Sequence, residues 1–174
     1  MKHTRLACVL LILGAVTHLT GCLEGRVSKA IVKIDAVSGS QCKGTITITQ
    51  EKDGLRIHGT VEGLTPGNHG FHIHEFGDCS ALDASSAGGH FNPTRGTHGG
   101  PHDPNRHIGD LGNIYANENG VATIDDTAYR IRLNGPHSII GRSIIIHASE
   151  DDLRTQPAGA AGSRIGCGVI GRIQ

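Results

Sequence analysis

The sequence predicts an all-β domain, an eight-stranded Greek-key barrel or sandwich with two long loops. Aromatic residues make up only 3% of the chain, and glycine occurs 26 times in 174 residues. Several short segments alternate apolar with polar residues, which is typical of strands that bury one face. No segment has the pattern of a helix of ordinary length, and there is no internal repeat. The chain length suits one domain once a leader is removed.

Each of the first four strands is predicted by its own apolar pattern. A loose alternation favours a strand over residues 29–36. Residues 45–49 alternate strictly, with Ile inward and Thr outward. The Asp53-Gly54 pair predicts a tight hairpin leading into a third strand over 55–61. The apolar run 71–76 is predicted as the fourth strand.

The last four strands follow a long loop. Residues 111–116 and 121–125 flank an Asn-Gly turn signal. The segment 143–148 contains three consecutive Ile, which predicts a central strand buried on both faces. Residues 129–133 are interpreted as a connection or a short strand. The last strand is predicted over 164–173.

Histidines are concentrated in one stretch, because six of the twelve in the chain lie between Gly70 and Asp110. His72 and His74 are two residues apart in an apolar run, so they point to the same face of a strand. The other histidines follow in a loop too rich in Gly and Pro to be regular structure. Such a long irregular loop inside a compact domain is typically functional or disordered. Metal ligation would order it.

Two groups of metal ligands are predicted. Imidazole suits copper and zinc, and a carboxylate can complete a zinc set. One group offers the three nitrogens and one oxygen of a closed tetrahedral zinc site: His90, His98, His107 and Asp110. The other group begins with His72 and His74 and needs further ligands. His147, in an apolar run far downstream, is a candidate.

With these motifs the sequence resembles the copper–zinc superoxide dismutase family. The resemblance covers residues 28–174, which are expected to form the dismutase domain. The matching motifs, in chain order, lie at residues 70–77, 89–93, 98–101, 107–112, 141–147 and 162–171. So many separate matches in the same order make the resemblance specific. It implies an enzyme that converts superoxide to oxygen and hydrogen peroxide with one copper and one zinc ion per subunit.

The resemblance also assigns the ligands. Copper is expected on His72, His74, His90 and His147, and zinc is expected on His90, His98, His107 and Asp110. His90 would bridge the two metals through its two ring nitrogens and carry a proton during turnover; the alternative is that His90 binds zinc only. For any single histidine, the alternative is a buried ring whose nitrogens bond to the backbone.

Two further side chains match the family outside the ligand set. Asp151, four residues after His147, matches an outer-shell aspartate that accepts N–H bonds from one copper-ligand and one zinc-ligand histidine. The alternatives are a turn cap, or the same role for the neighbouring Asp152. Arg164, three residues before Cys167, matches an active-site arginine that docks a small anion. Its alternative is a surface arginine at the start of a strand.

The loop between Asp151 and Arg164 departs from the family. It is shorter than in typical eukaryotic members and lacks their pattern of Lys and Glu. Its own cation is Arg154. Cationic walls raise association rates of anions by focusing the electrostatic field, so we expect steering to be weaker or differently arranged.

Residues 1–21 are predicted to be an export signal. A positively charged start precedes an apolar stretch over 6–16 that is too short to span a bilayer. The segment Leu19–Cys22 resembles a bacterial lipobox, which implies lipidation of Cys22, a tether over 22–27 and a periplasmic or cell-envelope location. The alternative is an ordinary secretory peptide with an incidental cysteine.

The cysteines fit an exported protein, because an oxidising compartment permits disulfides. Cys8 leaves with the leader, and Cys22 is committed to lipid. The family has a disulfide between the metal loop and the last strand, which implies a pair of Cys79 with Cys167. Cys42 then remains as a small buried or half-buried residue without a chemical role.

Charge and composition limit the partners. The formal net charge of the chain is zero, and there is neither a basic run nor an aromatic set for stacking bases, so nucleic acid is not expected. The expected partners are the superoxide anion and, through the lipid, a membrane; a homodimer is compatible with the family. The rival hypotheses are a metal-buffering lipoprotein without useful turnover and a metal-delivery protein on the same fold.

Overall fold

Eight antiparallel strands close into one barrel in the computed structural model, which describes residues 25–173. The strands are β1 (Lys29–Ala36), β2 (Lys43–Gln50), β3 (Leu55–Glu62), β4 (Gly67–His74), β5 (Asp110–Ala116), β6 (Ala122–Ala128), β7 (Ser143–His147) and β8 (Arg164–Arg172). The export signal predicted for 1–21 and the lipidation predicted at Cys22 lie outside the described residues. Val27, at the end of the predicted tether, exchanges two hydrogen bonds with the Asn134 side chain at 2.9 and 2.7 Å.

The strand order confirms the predicted Greek-key barrel. Around the barrel the strands run β1, β2, β3, β6, β5, β4, β7 and β8, and β8 pairs with β1 to close it. The chain therefore leaves β3, crosses to β4 and returns through β5 to place β6 beside β3. Closure leaves none of these eight strands as the edge of an open sheet.

The alternating pattern of β2 places the core inside the barrel. Ile46 and Ile48 are fully buried, while Thr45 is exposed and Thr47 is half-buried. β7 is buried at every position, which confirms the prediction from its three Ile. Its outer face is covered because loop residues, including Ala84, pack against Ile145.

β4 differs from its prediction at both ends. It was expected over 71–76, but backbone pairing with β5 begins at Gly67 opposite Ala116 and so extends the strand beyond its apolar run. After His74 the backbone bonds to the loop that follows instead of to a strand, since Phe76 N–H donates to the carbonyl of Ala87 at 3.0 Å. Register with a neighbouring strand, which the apolar pattern does not contain, sets these boundaries.

The two long loops cover the outer face of β4. Phe71 and Ile73 point into the barrel core, so His72 and His74 point outward beneath the loops. Regular helix in the described residues is limited to a 3₁₀ turn at Ser85–Ala87. Within residues 25–173 no helix has the length and apolar character needed to cross a membrane.

Candidate metal centre

Four histidines from three parts of the chain meet on the outer face of β4. His72 and His74 share one face of the strand, and His147 ends β7, which pairs with β4. His90 follows in the loop after β4 and forms an isolated bridge with His74. The ring centroids of His72 and His90 are 4.1 Å apart, and those of His72 and His147 are 5.0 Å apart. One ring nitrogen from each of the four lies within 4.8 Å of the others.

A second group shares His90 with the first and is completed by His98, His107 and Asp110. Asp110 is the first residue of β5, and its Oδ1 is where the imidazoles converge. His90 Nδ1 lies 2.7 Å from this oxygen, and His98 Nδ1 and His107 Nδ1 lie 3.1 and 3.2 Å from it. Asp110 Oδ2 accepts the backbone N–H of His107 at 3.0 Å and of Gly99 at 3.1 Å. The carboxylate is therefore held by β5 and by the loop together.

Five buried ring nitrogens in these groups have no hydrogen-bond partner in the described structure. They are His72 Nδ1, His74 Nε2, His90 Nε2, His98 Nδ1 and His147 Nε2. A buried polar atom without a partner is costly, so each such atom needs an explanation. His98 Nδ1 lies near Asp110 Oδ1 but without the geometry of a hydrogen bond.

The opposite nitrogen of each of these five rings has a partner. For His72 and His98 it is Asp151, for His90 it is Asp110, and for His74 and His147 it is a backbone carbonyl, of Gly88 and Gly162. A metal-ligating histidine characteristically donates its other N–H to such a partner, which fixes the tautomer and aims the free nitrogen, as seen in His72, His74, His98 and His147. His90 differs, because its partner Asp110 belongs to the second ligand group, so both of its ring nitrogens lie among ligand atoms. The residues present therefore fit two metal ions, and the alternative of histidines satisfied by backbone alone does not hold.

Burial keeps most of these rings in the form that binds metal. It is the main cause that lowers the pKa of His72 to about 4 and of His147 to about 3, and it lowers the pKa of His74 further still. Neutral imidazole is the ligating form. For His98, burial is the largest single effect and lowers the pKa, but hydrogen bonds and charges of Asp110 and Asp151 together raise it to about 9.

Asp151 links the two groups. Its Oδ2 accepts the Nε2–H of His72 and its Oδ1 accepts the Nε2–H of His98, both at 2.8 Å. Burial alone would raise the pKa of Asp151, but the hydrogen bonds from the two histidines hold it well below its ordinary value. Asp151 Oδ1 also accepts the backbone N–H of Leu153 at 2.7 Å, so the residue caps a turn as well. The neighbouring Asp152 is exposed and bonds only to residues of its own loop.

Some residues that hold the site were not anticipated from the sequence, among them Asn113 and Arg106. Asn113 on β5 accepts the backbone N–H of Asp151 at 2.7 Å and donates to its carbonyl at 2.9 Å. Arg106 is buried and donates from Nε to the carbonyl of Asp110 at 3.2 Å. Asn is depleted in strands, and Arg is seldom buried without partners. An Asn inside a predicted strand and an Arg beside His107 were therefore the available signals.

Arg164 lies at the start of β8 and reaches across to the loop that carries His90. Its Nη1 donates to the carbonyl of Ala84 at 2.6 Å and its Nη2 to that of Gly88 at 2.7 Å. The Gly88 carbonyl also accepts the Nδ1–H of His74 at 3.0 Å. The charge of Arg164 contributes to the lowered pKa of His74. The guanidinium is therefore fixed beside the first histidine group.

A disulfide ties the same loop to β8. Cys79 and Cys167 are bonded, with 5.9 Å between their α-carbons. The other cysteine in the described part of the chain is Cys42, which is fully buried just before β2.

The remaining histidines that the sequence left outside the ligand set stand apart from both groups. His58, His102 and His137 are exposed or half-buried. His69 is buried, with Nδ1 2.7 Å from the carbonyl oxygen of His147 and Nε2 2.8 Å from the carbonyl oxygen and 3.3 Å from the hydroxyl oxygen of Thr65. His69 is therefore a structural residue that joins β4 to the end of β7.

Comparison with known proteins shows a family match, named relatives and a similar solved structure. Residues 42–170 match the profile of the family described as copper/zinc superoxide dismutase. The chain is 44% identical to an extracellular superoxide dismutase [Cu-Zn] of Brugia pahangi over 83% of this chain and 76% of that protein. It is 41% identical to the corresponding protein of Onchocerca volvulus over 98% of this chain and 90% of that protein. Among solved structures, the crystal structure of the clock protein EA4 superposes with a TM-score of 0.79 at 42% identity, covering 86% of this chain and 97% of the other. The chain belongs to the copper/zinc superoxide dismutase family.

Proposed function

We propose that this chain is an exported superoxide dismutase in which His90 joins a copper site to a zinc site. Copper would be held by His72, His74, His90 and His147, and zinc by His90, His98, His107 and Asp110. The observation that carries the proposal is the position of His90 in both ligand groups. Its Nδ1 lies 2.7 Å from Asp110 Oδ1, and its buried Nε2 lacks a hydrogen-bond partner. A ring placed between two groups in this way can serve both ions.

The metals supply the chemistry that the side chains cannot. When bound, copper would supply a one-electron couple for the reaction of two superoxide anions and two protons to oxygen and hydrogen peroxide, and zinc would supply a fixed positive charge. His90 would be the proton carrier of the protein: whenever Nε2 is not bound to copper it would hold a proton, and it would give that proton to the peroxide product while the second proton comes from solvent. Its Nδ1 stays in the group of Asp110 meanwhile, so the ring keeps its place.

Arg164 would dock the anion. Two backbone carbonyls fix its guanidinium, so the Arg164 side chain needs no reordering when the substrate binds. A fixed cation beside the copper ligands favours superoxide over neutral oxygen and raises the local concentration of the anion. Asp151 acts through the ligands, since it fixes the tautomer of one histidine in each group.

The experiment that tests this function measures cyanide-sensitive superoxide dismutation. The chain without its leader, with its disulfide formed and loaded with copper and zinc, is compared with His147→Ala. Fast turnover that needs both metals and is lost in the variant supports the proposal. Full binding of both metals without turnover would contradict it and favour the metal-buffering alternative.

Export is part of the proposal. It is supported by the signal pattern over residues 1–21, by the Cys79–Cys167 disulfide and by the relatives, which are named extracellular.

Lipidation of Cys22, with attachment to a membrane in a periplasm or cell envelope, is a narrower proposal that rests on the segment Leu19–Cys22 alone. The named relatives come from nematodes, which favours the alternative of secretion with an incidental cysteine. The intact mass of the mature chain, with Cys22→Ser as control, separates the two: a diacylglycerol adduct on Cys22 supports lipidation, and an unmodified mature terminus rules it out.

A homodimer is proposed through the face where β1 meets β8. Ile31 on β1 and Val169 on β8 expose 42 and 43% of their surface there, and Phe76, which follows β4, exposes 53%. A β-carbon at Gly77, next to Phe76, would lie 3.1 Å from the Val169 side chain. Exposed large apolar side chains are enriched at interfaces. Light scattering should give twice the chain mass for the native protein and the single mass for Val169→Lys. A native protein that remains monomeric at high concentration would refute the dimer.

A further inference from the structure

We infer that Gln156, in the second long loop, is a positioning residue that holds the zinc ligand His98 through its main chain. The inference rests on the zinc site proposed above. His98 N–H donates to Gln156 Oε1 at 2.8 Å, and Gln156 Nε2 donates to the His98 carbonyl at 2.9 Å. One primary amide thus bonds both polar groups of the same residue, 58 positions away in the chain. This is the bonding that a partner residue in an antiparallel strand would provide.

The residues on both sides of His98 are fixed by other hydrogen bonds, whereas the two main-chain bonds of His98 itself go to Gln156. The segment reads Gly96-Thr97-His98-Gly99-Gly100 and lies outside any strand. Glycine restricts the backbone less than any other residue, so the direction of the His98 ring depends on bonds to other parts of the chain. Gly99 N–H bonds to Asp110 Oδ2 at 3.1 Å, and Thr97 N–H bonds to the carbonyl of Asn105 at 3.0 Å. Gln156 makes the hydrogen bonds that fix His98, which lies between Thr97 and Gly99.

Two side chains of the second long loop therefore hold His98 by hydrogen bonds. Asp151 holds the ring at Nε2, and Gln156 holds the main chain. With both fixed, His98 Nδ1 is left 3.1 Å from Asp110 Oδ1, where the zinc group converges. If the main chain were released, the ring could pivot about Asp151 and Nδ1 would leave the other ligands.

Gln156 is itself presented on a closed turn. Asp152 Oδ1 accepts the backbone N–H groups of Arg154 and Thr155 at 2.9 and 2.8 Å, and Asp152 N–H bonds to the Gly159 carbonyl at 2.8 Å. Gln156 Nε2 also donates to the carbonyl of Arg154 at 3.1 Å. The side chain is therefore pre-ordered before it reaches His98.

Because Gln156 is exposed rather than part of the core, its replacement should affect the metal site and leave the fold intact. Gln156→Ala removes both bonds to His98. Gln156→Glu keeps an acceptor for the His98 N–H and loses the donor. The chain also offers a matched control, Gln50→Ala. Gln50 likewise makes three side-chain hydrogen bonds to backbone, to Glu51, Gly54 and Leu133, at the hairpin between β2 and β3.

The experiment follows zinc release from the copper- and zinc-loaded protein to a colorimetric chelator, together with the visible spectrum of cobalt(II) placed in the zinc site. We expect zinc release about tenfold faster for Gln156→Ala, an intermediate rate for Gln156→Glu and an unchanged rate for Gln50→Ala. The cobalt bands should shift only in the two Gln156 variants. The melting temperature of the metal-free Gln156→Ala protein should match that of wild type.

Two results would overturn the inference. Zinc release from Gln156→Ala within twofold of wild type, with the same cobalt spectrum, would show that Gln156 does not position His98. An equal acceleration in Gln50→Ala would show a general loosening of the barrel. Failure of the proposed function would be visible separately, because a wild-type protein that binds both metals without turnover would contradict the dismutase and leave the zinc-release comparison intact, whereas a wild-type protein that binds no zinc would contradict the zinc site itself.

Discussion

Gly159 and Asp151 are so close that no side chain fits between them. A β-carbon at Gly159 would lie 1.8 Å from Asp151 Oδ1 and 2.7 Å from His98 Nε2, and the backbone of Gly159 has a φ of +69°. Gly159→Ala must therefore displace the carboxylate that holds His72 and His98. We expect zinc affinity to fall by about 10- to 100-fold, the usual effect of disturbing an outer-shell partner. Zinc titration of the purified variant measures this.

The variant Gly135→Ala is the control, because it introduces backbone strain without displacing a carboxylate. Gly135 also has a positive φ, of +83°, but nothing lies within 4 Å of its β-position. This control should lose only the roughly 1 kcal/mol that a left-handed conformation costs a residue with a β-carbon. It should keep the zinc affinity of wild type. Equal zinc affinities in both variants would contradict the steric explanation.

Asp151→Asn tests the hydrogen bonds directly. An amide retains one acceptor oxygen, so one of the two histidines, His72 or His98, loses its partner and the fixed tautomer. We expect zinc affinity about tenfold weaker or worse, with slower dismutation as a consequence. Asp152→Asn is the matched control, since that carboxylate is exposed and bonds only within its loop. An amide oxygen at this position can still accept the N–H groups of Arg154 and Thr155 that order the turn before Gln156. If the two variants bind zinc equally well, the role assigned to Asp151 is wrong.

Arg164→Lys should slow the reaction and leave the metals in place. A single ammonium group cannot reproduce the planar fork that bonds to the carbonyls of Ala84 and Gly88. The cation then loses its fixed position, and we expect kcat/KM to fall by about tenfold at low salt, the low end of what electrostatic focusing contributes. Pulse radiolysis at several ionic strengths measures the rate, and metal analysis confirms occupancy.

Arg154→Gln is the comparison for that experiment. Arg154 is exposed in the shortened loop, so its charge is screened by solvent. We expect less than a twofold change in kcat/KM. A larger loss than in Arg164→Lys would mean that steering in this chain comes from the loop instead of the fixed arginine.

The sequence was sufficient for features that repeat along the chain or match a motif, and insufficient for bonds between distant segments. Alternation placed β2, and the three Ile placed β7, because burial on one or both faces leaves a local pattern. The resemblance pointed to Asp151 and left the adjacent Asp152 as an alternative, since the choice depends on which carboxylate the loop buries. Asn113 and Gln156 were missed for a related reason. Each bonds through its side chain to backbone 38 or 58 residues away, and such bonds leave no spacing signal.

Cys42 should be unreactive in the folded protein. Burial raises the pKa of its thiol to about 11, so at pH 7.5 only on the order of one thiol in several thousand is the nucleophilic thiolate. Its sulfur also packs against the chain at Gly166, where a β-carbon would lie 2.6 Å from it. Cys42 therefore cannot attack the disulfide of Cys79 and Cys167 while the barrel is closed. The test uses the chain that begins at Leu23, which lacks Cys8 and Cys22. We expect iodoacetamide to leave this native protein unlabelled and to add one equivalent after unfolding without reductant. Cys42→Ala, which should take up no label in either state, identifies the site.

Because burial raises the pKa of the Cys42 thiol, the free energy of unfolding should change with pH in the alkaline range. The folded protein holds the Cys42 proton more tightly than the unfolded chain, whose thiol has a pKa near the ordinary 9.0. The contribution of the neutral thiol is therefore complete below pH 9 and is lost as pH rises through about 11. Cys42→Ala lacks this titration, so the stability difference between wild type and variant should shrink over that interval. A difference that stays constant from pH 8 to pH 11, or labelling of native Cys42 at the rate of an unfolded thiol, would show that the thiol is open to solvent.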